Sequence, residues 1–72
     1  MPLVPRLSAS AQVAAFLRSE LERGRWTKTM PGQIRLASDL GVARNTVEAA
    51  LRQLEGEGVL VGRGVRRPRG IA

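Results

Sequence analysis

The apolar residues of this chain recur at helical spacing in three successive segments. Steps of three and four residues predict a first helix over residues 10–23 and a second, shorter helix over residues 33–40. A third helix is expected to begin at Arg44 after a gap of three residues, and it carries the most regular apolar stripe. The stripe predicts that one side of the third helix packs in the core, and it consists of Val47, Ala50, Leu51 and Leu54.

The first two helices carry signals for their ends and for their buried faces. Ser8 or Ser10 is expected to cap the first helix, because a serine hydroxyl accepts a hydrogen bond from the first-turn amides. Gly24 is expected to end that helix, and Gly41 to end the second one in the tight turn before the third. The positions expected to face the core are Val13, Phe16, Leu17 and Leu21 in the first helix, and Ile34, Leu36, Ala37 and Leu40 in the second.

The C-terminal segment changes from helical to strand character. The run 59–61 predicts a strand, Gly62-Arg63-Gly64 a tight turn, and residues 65–67 a returning strand that Pro68 ends. The expected fold is mainly α with a small β-hairpin: a winged helix-turn-helix, in which the hairpin is the wing. We expect residues 1–9 to be an extended lead-in, residues 10–67 the folded domain, and residues 68–72 the start of a linker.

Length and composition limit the chemistry that this chain can perform. A domain of 72 residues buries only about 60% of the surface that its unfolded chain exposes, which leaves little room for an enzyme pocket. The chain has no cysteine and no histidine, so it lacks thiolate ligands, disulfides and the commonest general base. We see no catalytic set and expect no enzyme activity, cofactor or metal site. No apolar run approaches membrane-spanning length, and we expect a cytoplasmic protein.

The charge of the chain points to a polyanionic partner. Twelve Lys and Arg oppose six Asp and Glu, for a formal net charge of +6. A small basic domain of this kind most often binds nucleic acid, although a basic domain without such a partner fits the charge as well. Trp26 is expected in the core or as a lid between helices. Since Phe16 is the other aromatic residue of the chain, base stacking as in single-strand or RNA binding has little support.

The start of the third helix carries the residues best suited to read DNA. A glycine in the turn lets the second helix of the pair enter a major groove with its N-terminal residues near the base edges. Arg44 can pair with guanine O6 and N7, and Asn45 with adenine N6 and N7. Thr46 can donate to a phosphate, which the helix N-terminus also favours. A solvated polar face is the alternative for these residues.

Two roles fit Glu48 on the same helix. It can accept a hydrogen bond from cytosine N4, although phosphates repel its carboxylate. It can also form an ion pair with Arg44 or Arg52, each four residues away. We favour the ion pair slightly, and the two roles do not exclude each other.

Arginines cluster around the expected wing tip. Arg63 between two glycines can approach a minor groove, whose negative potential attracts arginine. Arg66 and Arg67 would then lie near phosphates, and a solvated turn is the alternative. Double-stranded DNA binding is thus our leading hypothesis. A winged-helix protein-interaction module and a non-specific basic nucleic-acid-binding or RNA-binding domain are the alternatives.

The residues of the two short helices and of the following segment resemble the N-terminal domain of GntR-type transcription regulators. The resemblance covers about Gln12 to Gly64, and residues 36–58 are its most specific part. It is carried by the runs Met30-Pro31-Gly32-Gln33-Ile34-Arg35-Leu36-Ala37, Leu40-Gly41-Val42-Ala43-Arg44-Asn45-Thr46-Val47, Ala50-Leu51-Arg52-Gln53-Leu54-Glu55 and Glu57-Gly58.

The resemblance implies a winged helix-turn-helix that binds a palindromic operator as a homodimer, as in a repressor. It implies that Arg44 reads DNA and that Gly64, or its neighbour Arg63, approaches the minor groove. It also implies a C-terminal domain that binds a small-molecule effector and lies beyond this chain. The details around Trp26 and residues 46–51 are similar to the subgroup whose effector domain is LacI-like.

Three positions depart from the pattern of the family. Ile34 stands where an arginine is frequent, and Arg35, one position later, is expected to reach a phosphate. Ala43 replaces the usual serine, which removes a helix cap that stabilises by about 1 kcal/mol. Glu48 replaces a frequent arginine. These departures predict that the operator sequence differs from the one typical of the family. They do not change the expected fold.

Overall fold

Three helices and a two-stranded antiparallel sheet make up the described part of the chain. The computed structural model describes residues 8–62 and 69–72. The helices are α1 (Ala9–Glu22), α2 (Gln33–Leu40) and α3 (Arg44–Gly56), followed by the strands β1 (Leu60–Val61) and β2 (Gly70–Ile71). The predicted bounds of α2 and the predicted start of α3 are confirmed, and α1 lies one residue earlier than predicted. None of the described helices combines the length and the hydropathy that a membrane-spanning segment requires.

The core forms where α3 packs against α1 and α2. All four predicted stripe residues of α3 are fully buried. Fully burying a Leu or Val side chain stabilises a fold by about 1.5–3 kcal/mol, so the stripe is a major part of the stability of so small a domain. The other buried core residues are Val13, Ala14 and Leu17 of α1, Leu36 and Ala37 of α2, and Met30 and Leu60.

Two apolar residues predicted in the core are exposed instead. Phe16 is 43% exposed and Ile34 is 64% exposed. On a helix with 100° per residue, each lies about 110° from the centre of the buried face of its helix. In α1 Ala14 is fully buried instead. The prediction was wrong because helical spacing does not show which part of an apolar face meets the neighbouring helix.

The hairpin is longer than the sequence predicted. β1 pairs antiparallel with β2, with Leu60 opposite Ile71 and Val61 opposite Gly70. The expected pairing of residues 59–61 with residues 65–67 is therefore wrong for Leu60 and Val61, whose partners lie within residues 68–72, which were expected to begin a linker. A proline lacks the amide donor only at its own position, so Pro68 does not prevent the pairing of Gly70 and Ile71. The side chain of Ile71 packs against the core, which favours this register.

The segment between α1 and α2 adds a third stretch of backbone to the wing. Thr29 forms an isolated antiparallel bridge with Gly70. The amide of Met30 donates to the carbonyl of Arg69 at 2.9 Å, and the amide of Ile71 donates to the carbonyl of Lys28 at 3.0 Å. These bonds fix β2 between β1 and the α1–α2 connection. Trp26, in the same connection, is partly buried against the core, as predicted.

An ion pair joins α1 to the end of α3. The guanidinium of Arg18 donates to both carboxylate oxygens of Glu57, with the shortest distance 2.6 Å from Nη2 to Oε1. Gln53 Nε2 also donates to Glu57 at 3.1 Å. The hydrogen bond from Gln53 and those from Arg18 lower the pKa of Glu57 below its ordinary value of 4.5, because both stabilise the charged form.

The pKa of Glu57 predicts part of the acid sensitivity of the fold. A lowered folded-state pKa gives a contribution that is complete above about pH 4.5 and is lost as the pH falls through the folded-state pKa. Glu57→Gln should therefore make the free energy of unfolding depend less steeply on pH below about pH 4.5, as measured by urea denaturation between pH 3 and 7. Glu22→Gln, on the exposed side of α1, is the matched control and should follow the wild type. Equal slopes for Glu57→Gln and the wild type would contradict the assignment.

Candidate nucleic-acid interface

The turn between α2 and α3 is short and tightly hydrogen-bonded. Gly41 adopts a left-handed conformation with φ +69°, and its amide donates to the carbonyl of Ala37 at 2.9 Å. The amide of Val42 donates to the same carbonyl at 3.1 Å, and its side chain packs against the core. This turn satisfies the end of α2 and starts α3 within three residues, as the sequence predicted for a helix-turn-helix.

The N-terminus of α3 is open to an anion. Its N-cap, Ala43, is extended and provides no side-chain hydrogen bond. Arg44 and Asn45 are exposed, and Thr46 is half-buried. Within the described residues Arg44 makes no ion pair. First-turn amides without a side-chain cap, together with the helix dipole, attract negative charge. The predicted readers of DNA are thus brought together on this one turn.

The neighbouring surface carries two further exposed cations. Arg35 on α2 is 78% exposed at the side chain and lies 3.8 Å from Asp39. Arg52 on α3 is 75% exposed and lies 4.0 Å from Glu48. Exposed pairs at these distances hold their side chains weakly. Both guanidinium groups can therefore turn toward a phosphate without losing a strong contact.

Glu48 lies on the flank of α3 that faces β2. Its Oε1 accepts a hydrogen bond from Arg69 Nη2 at 2.8 Å, and its side chain is 29% exposed. The predicted ion pair with Arg52 is confirmed at 4.0 Å, but the contact with Arg69 is shorter and was not predicted. The predicted pair with Arg44 does not form among the described residues. Glu48 therefore lies partly buried beside β2, and its predicted contact with a cytosine stays a prediction.

Arg69 is the interface residue that the sequence analysis missed. Its Nε lies 3.2 Å from Glu55 Oε1, so that the guanidinium bridges two carboxylates of α3. Nothing local to Arg69 predicts these partners, which lie 21 and 14 residues earlier in the chain. The available signal was indirect: Glu48 and Glu55, seven residues apart, lie on one flank of the predicted helix.

Three predicted contact residues of the wing lie outside the described residues. They are Arg63, Gly64 and Arg66, and the predicted returning strand lies there too. Their roles stay predictions.

The succession of three helices, a tight glycine turn before the third and an antiparallel hairpin after it defines a winged helix-turn-helix domain. The structure is similar to the crystal structure described as AraR(DBD) in complex with operator ORX1, with a TM-score of 0.81 and 22% sequence identity. The similarity covers 100% of this chain and 90% of that one. A comparison with curated proteins found no match.

The family model for bacterial regulatory proteins, gntR family, matches residues 9–69. The chain belongs to this family, as the resemblance implied. It is the DNA-binding winged helix-turn-helix domain of a transcription regulator.

The missing cap of α3 predicts a stabilising substitution. Ala43 already has the extended backbone of an N-cap, with φ −67° and ψ 147°. In α1 the serine at the same position, Ser8, accepts a hydrogen bond from the amide of Ala11 at 3.1 Å. Ala43→Ser should raise the free energy of unfolding by about 1 kcal/mol, measured by urea denaturation.

The matched control for this substitution is Ala49→Ser. Ala49 is an exposed residue in the middle of α3, where serine has a lower helix propensity than alanine. Ala49→Ser should leave the stability unchanged or lower it slightly. A gain at position 49 that equals the gain at position 43 would show that capping is not its cause.

Proposed function

We propose that this domain places the first turn of α3 in the major groove of a DNA operator, with Arg44 and Asn45 as its main readers of base edges. One observation carries the proposal: both side chains are exposed at the uncapped start of a helix that has one fully buried side. The buried stripe fixes the orientation of the helix, so the exposed turn is presented as a rigid unit. A rigid presentation favours base readout, which depends on fixed hydrogen-bond geometry.

The chemistry of each side chain assigns its role. The guanidinium of Arg44 can donate two hydrogen bonds to guanine O6 and N7, and the amide of Asn45 can pair with adenine N6 and N7. Thr46, at the edge of the turn, suits a phosphate oxygen, as does the exposed guanidinium of Arg35. Ile34 stands exposed where an arginine is frequent in the family, so one phosphate or base contact of its relatives is replaced by an apolar surface.

The wing completes the interface in this proposal. Arg63 and Gly64 would approach the minor groove, and Arg66 would contact phosphates along its edge. The positive charge of the chain supports this role, since the segment from Gly58 to Ala72 has four arginines and no acidic residue. Such contacts carry affinity for any sequence, whereas the first turn of α3 carries the preference for one sequence.

Family membership supports three further proposals about the whole regulator. The similar AraR domain is described in complex with an operator, and we propose that the present domain likewise binds a palindromic operator as part of a homodimer. A small-molecule effector would act through a separate C-terminal domain, connected by a linker that begins after β2. The regulator would act as a repressor in the bacterial cytoplasm.

Selection of duplexes from a random pool tests the proposed readout. The wild-type domain should enrich a defined motif, and Arg44→Ala should lower the affinity for that motif by about 1–3 kcal/mol and relax the preference at one base pair. Arg66→Ala should instead lower the affinity for all duplex sequences by the same factor, because phosphate contacts carry no sequence information. Fluorescence anisotropy with the selected duplex and with a scrambled duplex measures both effects.

Arg23→Ala is the control for loss of charge. Arg23 is an exposed arginine at the end of α1, and its removal changes the net charge by the same amount as Arg44→Ala. The base preference of Arg23→Ala should equal that of the wild type. An unchanged preference in Arg44→Ala would remove this residue from the readout. A wild-type domain without duplex binding at low salt would contradict the proposed function and favour a protein partner.

A further inference from the structure

We infer that Arg69 is a positioning residue for operator recognition, which holds the carboxylates of Glu48 and Glu55 on the flank of α3 and fixes the wing against that helix. The inference rests on the proposed function, since it concerns how the same interface avoids electrostatic repulsion of DNA. Arg69 acts through Glu48 and Glu55 and does not itself contact a base.

The contacts of the Arg69 side chain show how it acts. Its Nη2 donates to Glu48 Oε1 at 2.8 Å, and its Nε lies 3.2 Å from Glu55 Oε1. Nε is buried and makes no hydrogen bond of good geometry among the described residues, so the contact with Glu55 is purely ionic. Positions 48 and 55 are seven residues apart, about 10 Å along the helix backbone, and their side chains converge on a single guanidinium, which therefore compensates carboxylates from two turns of α3.

The partial burial of this cluster makes it stronger than the exposed ion pairs that Arg35 and Arg52 form. The side chain of Arg69 is 21% exposed, and those of Glu48 and Glu55 are 29% and 30% exposed. Arg35 and Arg52, by contrast, are largely exposed in their pairs. Partial burial reduces the screening by water and salt, and several charges in one network contribute more than an isolated surface pair.

The backbone of Arg69 lies at the junction of three parts of the fold. Its carbonyl accepts the hydrogen bond from the Met30 amide at 2.9 Å. The next residue, Gly70, is buried and pairs with Val61 on one side and Thr29 on the other. The arginine side chain therefore extends from the base of the wing, where the backbone is held on both sides, to the helix that reads DNA.

The electrostatic consequence concerns the phosphates of the bound duplex. Without Arg69, the flank of α3 that faces β2 has two carboxylates, and the ion pair that remains there among the described residues is that of Glu48 with the exposed Arg52, at 4.0 Å. Charges within a screening length of about 8–10 Å repel phosphates effectively at ordinary salt concentrations. Arg69 thus allows an acidic residue at position 48, where relatives often have arginine, on a helix that enters a groove lined with negative charge.

A double-mutant cycle with the 72-residue chain tests the inference. The probe is the duplex that the wild-type domain selects from a random pool, and affinity is measured by fluorescence anisotropy over a range of salt concentrations. Arg69→Gln should weaken binding on the order of tenfold at low salt, with a smaller effect as salt increases. Glu48→Gln should raise the affinity much more in the Arg69→Gln background than in the wild type, because Arg69 already compensates Glu48 there.

The control separates position from net charge. Glu22→Gln removes one negative charge from the exposed side of α1 and should raise the affinity equally little in both backgrounds. If Glu48→Gln and Glu22→Gln have equal effects in the Arg69→Gln background, the inference is overturned. A purely structural role would instead weaken binding by the same factor at every salt concentration, whatever the change in the urea midpoint, and that outcome also overturns the inference.

A second variant covers the case in which Arg69→Gln does not fold. Arg69→Lys retains the charge, but its ammonium group is a compact point charge that lacks the planar fork of donors with which a guanidinium contacts two carboxylates. Glu48→Gln should then improve the binding of Arg69→Lys more than that of the wild type, and equal improvement contradicts the inference. If the wild type binds its duplex but the effects of the two substitutions simply add, only the role of Arg69 is refuted. If the wild type selects no duplex, the proposed function is refuted.

Discussion

The burial of one face of α3 is the constraint on which the rest of the structure depends. Val47, Ala50, Leu51 and Leu54 are fully buried against α1 and α2, and no disulfide can replace them, since the chain has no cysteine. Because a helix is rigid, burying one side fixes the direction of the other. The same contacts that stabilise the domain therefore present Arg44 and Asn45 outward, so stability and recognition have a common origin.

The acidic residues of the chain are mostly compensated within the domain. Among the described residues, five acidic side chains lie in ion pairs with arginines: Glu20, Asp39, Glu48, Glu55 and Glu57. The two closest pairs connect α3 and its end to other elements, through Arg18 of α1 and Arg69 of the wing. In this arrangement the carboxylates stabilise the fold through their ion pairs. The arginines outnumber the acidic residues, so unpaired arginines remain on the surface, such as Arg44 among the described residues. The basic character of the interface thus depends on the positions of the acidic residues as well as on the number of arginines.

Local pattern predicted those features that depend on neighbours in sequence. The stripe of α3 and the turn at Gly41 follow from spacing within a few residues, the missing cap at Ala43 follows from the resemblance to the family, and the structure confirms all three. The exposure of Phe16 and Ile34 depends on which face meets a distant helix, and the register of the wing depends on Ile71 reaching the core after Pro68. The Arg69 contacts join residues 14 and 21 positions apart, which no periodicity reveals.

An NMR titration of the ¹⁵N-labelled domain with the selected duplex tests the central claim most directly. If the buried stripe orients α3 for recognition, the largest amide shifts should fall on Arg44, Asn45 and Thr46 and on the wing. The amides around Arg18 in α1 should change little, since that helix packs against the buried side of α3. Shifts concentrated on α1, with the first turn of α3 unaffected, would contradict the account.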